Sequence, residues 1–114
     1  MKKIIVLLLM IASESSYAGF ISGNKLAENM QEYNKFYSYG ASASFSAYVT
    51  GVADTIDNLW CSSSSVTVGQ IVKVVSKYLE NNPEKLHLSA SSLIMAALMQ
   101  AFPCENHSKR SQKR

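Results

Sequence analysis

The side chains able to do chemistry are few and far apart. Cys61, Cys104, His87, His107 and the carboxylates Asp54 and Asp57 are the residues whose types suit a nucleophilic, metal or acid–base site. A cysteine nucleophile needs an imidazole within hydrogen-bond reach to take its proton. A cysteine with a histidine meets that need here by residue type alone. Zinc needs cysteine and histidine ligands paired at short intervals, and the two histidines and two cysteines do not form such clusters. Asp54 and Asp57, three residues apart on a helix, would share a face, which reads as a solvated one before it reads as an acid–base pair. Gly51 and Gly69 are isolated, so no glycine-rich phosphate loop exists. The chain is therefore expected not to be an enzyme and to hold no cofactor or metal.

The cysteines fit a different chemistry once the first residues are read. Lys2 and Lys3 precede an apolar stretch over residues 4–12, and Ser16-Tyr17-Ala18 places small residues where signal peptidase reads. The apolar stretch is nine residues long, against roughly 20 for a membrane span. Residues 1–18 are thus expected to be a signal peptide, cleaved after about Ala18, that delivers the rest to the periplasm with no integral membrane segment left. In that oxidising compartment an even pair of cysteines reads as a disulfide, Cys61–Cys104.

Removing 18 of 114 residues leaves 96, enough for one small domain over residues 19–104. Of the 11 cations and 8 anions, 9 and 7 remain without Lys2, Lys3 and Glu14, a net charge near +2. Lys109, Arg110, Lys113 and Arg114 fall in the last six positions, so the folded part is mildly acidic and no nucleic-acid partner is indicated. Residues 105–114 carry no aliphatic or aromatic side chain and are expected to be a disordered basic tail.

The elements that must position these residues are helices. Three starts share one grammar, a capping Ser or Thr between an apolar residue before it and another four residues into the helix. These are Ile21, Ser22, Leu26; Val66, Thr67, Ile71; and Leu88, Ser89, Leu93. Gln70 completes a capping box with Thr67. The spacing predicts helices over about 23–33 or a little beyond, 42–60, 68–81 and 90–102. Gly40 is expected in a turn and Cys61 at the end of the second helix. Phe45, Val49, Val52, Ile56 and Leu59 form the apolar face of the second helix, where Ala47 and Gly51 make a small-residue notch. Pro83 stops the third helix. The fourth is apolar nearly all round, as befits a central element or an oligomer face, and its Met95 and Met99 side is the expected homodimer face. The fold expected is all-α, a compact bundle of about four helices stapled by one disulfide.

Three features could meet a partner. Ser62, Ser63, Ser64 and Ser65 form a polar loop, or a plain linker. Lys85, Leu86, His87 and Leu88 place a cation, an imidazole and two leucines on a short connection, or serve as core anchors with solvated neighbours. Six tyrosines and Trp60 exceed what so small a core needs, and such residues are favoured at interfaces.

Several ordered blocks carry a resemblance. They are Ser22-Gly23-Asn24 with Leu26, Tyr48-Val49 with Gly51-Val52 and Asp54, Cys61, and Val66-Thr67 with Gly69-Gln70-Ile71-Val72. Tyr78-Leu79, Asn82-Pro83-Glu84, His87, Ala90 and the closing Ala101-Phe102-Pro103-Cys104 follow. Together they resemble the Rap/Tai domain of periplasmic immunity proteins of type VI secretion. The resemblance implies a small helical, often dimeric protein that neutralises a peptidoglycan amidase or endopeptidase, a papain-like Cys/His hydrolase, by occluding its cleft. A second cysteine pair common in that family corresponds to Met30 and Phe45 here. The family's proline two residues after the first retained cysteine is Ser63, and the arginine before its histidine is Leu86. Two other readings fit the same chain, a periplasmic accessory component of a secretion or conjugation apparatus and a small acid-stress chaperone.

Overall fold

The computed structural model describes residues 20–36 and 39–104. The expected signal peptide and basic tail, His107 included, lie outside the described residues. Four helices follow in order: α1 (Gly23–Phe36), α2 (Tyr39–Thr55), α3 (Val68–Asn81) and α4 (Ala90–Ala101), with a 3-10 turn, Pro83–Lys85, between the last two. No strand occurs among the described residues, and one isolated antiparallel bridge joins Ser22 to Ser89. The expected all-α bundle of four helices is the observed architecture, and Cys61 and Cys104 form the disulfide, with a Cα–Cα distance of 4.9 Å.

The core follows the helical repeat. Leu26 and Met30 of α1, Phe45, Val49 and Ala53 of α2, and Val72, Val75 and Leu79 of α3 recur every three or four residues on one face of their helices. Helix α4 contributes Ala90, Leu93, Ile94, Ala97 and Leu98, all buried, more than any other helix, while Met99 stays exposed. The rings of Tyr33 and Phe45 lie 5.7 Å apart and join α1 to α2. No polar or charged side chain is buried among the described residues, so apolar contact and backbone bonding hold the bundle together.

Local chemistry sets the helix ends. At α3 the capping box forms as expected: the Gln70 amide donates to Thr67 Oγ1 at 3.2 Å and the Thr67 amide donates to Gln70 Oε1 at 2.8 Å. At α1 the Lys25 amide donates to Ser22 Oγ at 3.2 Å. The expected cap at Ser89 is absent; its hydroxyl pairs with Ser92 Oγ at 2.7 Å. The expected staple partner Leu88 is 43 % exposed. The backbone bridge between Ser22 and Ser89 holds the chain just before α4 in place of these side-chain contacts.

Helix α2 departs furthest from expectation. It begins before Gly40, which sits inside the helix and not in a turn, and it ends at Thr55, five residues short of Trp60. Gly40 and Gly51 have nothing within 4 Å of where a Cβ would stand, so no described helix occupies the expected notch. Hydroxyls on α2 fold back onto its own carbonyls, Ser44 onto Gly40, Thr50 onto Ser46 and Thr55 onto Gly51, at 2.9, 2.7 and 2.8 Å. A serine- and threonine-rich stretch can therefore stay helical with its hydroxyls satisfied. Past Thr55 the chain turns, the Trp60 indole N–H donates to the Ala53 carbonyl at 3.0 Å, and Leu59 is left 41 % exposed. Leu59 thus drops off the expected apolar face, and Ala53 takes a place on it.

Candidate partner-binding site

The two stretches singled out by sequence flank α3. Fourteen residues at 1.5 Å each make that helix about 20 Å long, so the stretches beyond its ends do not merge into one patch. Each is positioned by a different device.

The loop of Ser62, Ser63, Ser64 and Ser65 hangs from the disulfide. Behind it the Cys61 amide donates to the Phe102 carbonyl at 2.9 Å, and the Trp60 and Phe102 rings meet at 5.8 Å. All four serines are exposed. Ser63 and Ser65 share a hydroxyl contact at 2.7 Å, and the Val66 amide donates to the Ser63 carbonyl at 3.2 Å before the Thr67 cap begins α3.

The stretch after α3 is bonded far more densely. Pro83 cannot donate a backbone N–H, and the chain tightens into the 3-10 turn. The Lys85 amide donates to Asn82 O at 3.0 Å, and the Leu88 amide to Lys85 O at 3.0 Å. The Asn82 side-chain amide closes α3 by donating to Tyr78 O at 2.8 Å. From the other side come three bonds with the start of α1. Gly23 N–H donates to Leu88 O at 2.8 Å, Asn24 N–H to Leu86 O at 2.7 Å, and Ala90 N–H to Ile21 O at 2.8 Å. Leu86 is half-buried against the core, whereas Lys85, His87 and Leu88 are exposed. The Lys85 ammonium stands 5.8 Å from the centroid of the Tyr78 ring, on its face, a cation–π arrangement.

Sequence reasoning missed a groove of about 580 Å³ between the C-terminal halves of α3 and α4, lined in part by Lys77, Tyr78, Asn82, Ala97 and Gln100. Its only sequence signal is a set of amide side chains close to apolar faces. Tyr78 belongs to the groove and also lies under Lys85, so the groove and the Lys85, Leu86, His87 stretch adjoin.

Among the described residues, those considered for catalysis form neither a thiol–imidazole pair nor a carboxylate pair on one helical face. Both sulfurs are in the disulfide, which removes any thiol–imidazole pair with His87. Asp57 lies in the turn beyond α2, not on a helical face with Asp54, and both are exposed. Among the described residues no group of three or more His, Cys, Asp or Glu could hold a metal ion. No described helix is long and apolar enough to cross a membrane.

Compared with known families, residues 22–104 match the model for Rap1a immunity proteins. The match runs from the Ser22 cap of α1 to the Cys104 sulfur and so takes in all four helices. No curated protein matches the chain.

Proposed function

Because the chain belongs to the family of Rap1a immunity proteins of type VI secretion, we propose that it is a periplasmic inhibitor of a secreted peptidoglycan amidase or endopeptidase. It binds that papain-like hydrolase and blocks its cleft, with no chemistry of its own. The observation that carries this reading is the family match across the whole bundle. The exposed contact groups are Lys85 and His87 on their bonded stretch, anchored by Leu86, with the loop of Ser62, Ser63, Ser64 and Ser65 as a second, separate contact. The leader at residues 1–18 brings the chain to the compartment in which cell-wall hydrolases act.

The test is survival. Cells intoxicated in the periplasm by the papain-like cell-wall hydrolase of a type VI secretion system should survive when they express the exported form, and survival equal to an empty vector against every such hydrolase tried would sink the proposal. Met99 is 44 % exposed and Met95 half-buried on α4, which supports this side as the homodimer face. Sedimentation at high concentration should give a dimer, and a monomer there removes that face from the account.

A further inference from the structure

The first amides of an α-helix have no partner inside it. In α1 two of them, on Gly23 and Asn24, close on the carbonyls of Leu88 and Leu86, which lie just before α4. The positive end of the α1 dipole thus faces two carbonyl oxygens. This approach is close enough to exclude a side chain. A Cβ on buried Gly23 would stand 2.7 Å from the Leu86 carbonyl oxygen and 3.0 Å from its Cα, and would run into Leu93 Cδ1 as well. The leucine side chain can rotate away. The Leu86 backbone cannot move without giving up the bond from the Asn24 amide.

We propose that Gly23 is a positioning residue for partner recognition: its bare Cα lets the start of α1 clasp the backbone of Leu86 and Leu88, and that clasp fixes how Lys85, His87 and Leu88 are presented. The inference rests on the reading that this stretch meets the partner. The clasp holds the stretch from its inner side through Leu86 O and Leu88 O, and leaves His87 and Leu88 outward. A loop already held in its bound shape loses less conformational freedom on association. A side chain at position 23 shifts the stretch and displaces the Leu93 side chain, while the core residues distant from it, Val75, Leu79 and Leu98 among them, keep their contacts.

The experiment compares Gly23→Ala with the unaltered chain, disulfide intact, by amide hydrogen exchange, followed by the protection assay. The Asn24 and Ala90 amides should exchange about tenfold faster or more, while those of Val75, Leu79 and Leu98 keep their rates, because local opening and global unfolding are separable by this measurement. Gly51→Ala, on an open helix face, serves as the control and should leave both sets of amides protected. Protection against the hydrolase should fall in Gly23→Ala. Unchanged exchange at Asn24 and Ala90 overturns the proposal, and so does an equal loss at every amide, which would make Gly23 a residue of the fold alone. Full protection with a released stretch overturns it as well. The double variant Lys85→Ala, His87→Ala tests the contact reading separately. If it protects like the unaltered chain, that reading fails, while the exchange result still decides whether Gly23 positions the stretch.

Discussion

Trp60 shows how one side chain sets a boundary that helical propensity does not. Its indole N–H takes the Ala53 carbonyl, near the end of α2, and its ring packs on Phe102. The chain is thereby turned so that Cys61 reaches the end of α4. Trp60→Phe keeps a ring against Phe102 and leaves that carbonyl without this donor, so it should cost about 1 kcal/mol, the usual net worth of such a bond; urea denaturation would measure it. Met30 and Phe45, at positions where the resemblance implies a second cysteine pair, are both buried in the core. Both side chains therefore contribute to the apolar core that α1 and α2 share.

At the scale of elements, α3 and α4 start by different means, and their capping residues should respond differently. Thr67→Ala removes a side chain that accepts from the Gln70 amide and should cost about 1 kcal/mol. Ser89→Ala removes no cap bond and should stay within about 0.5 kcal/mol of the unaltered chain; thermal melts of the two variants check the contrast. That contrast also explains what was legible in the sequence. Helix α3 was readable to the residue because its start is fixed by Thr67 and Gln70 and its end by Pro83, all local signals. The ends of α2 were not, since Gly40 breaks a helix only weakly and the stop at Thr55 depends on contacts to Ala53 and Phe102 made by residues beyond it. The Lys85, Leu86, His87 stretch was identified by residue type, but its support was invisible: nothing local to Gly23 and Asn24 reveals that their amides serve a distant segment. The groove beside it escaped for the same reason, because it exists only where two helices converge.

Across the whole molecule, both ends of the described chain are tied down. Backbone bonds hold the start of α1 to the lead-in of α4, and the Cys61–Cys104 bond holds the end of α4 to the exit of α2. Closing a loop across a sequence separation of 43 restricts the unfolded chain, by about 4 kcal/mol in the chain-entropy model. Replacing both cysteines with serine should lower stability by that order, and an unchanged denaturation midpoint under oxidising conditions would contradict it. The four exposed serines sit just inside this covalent ring, with α3 and α4 beyond them. A protease such as elastase should therefore nick the chain first within residues 62–65 and still release nothing. The cut protein would migrate as one species on a non-reducing gel and split into two fragments only when dithiothreitol is added.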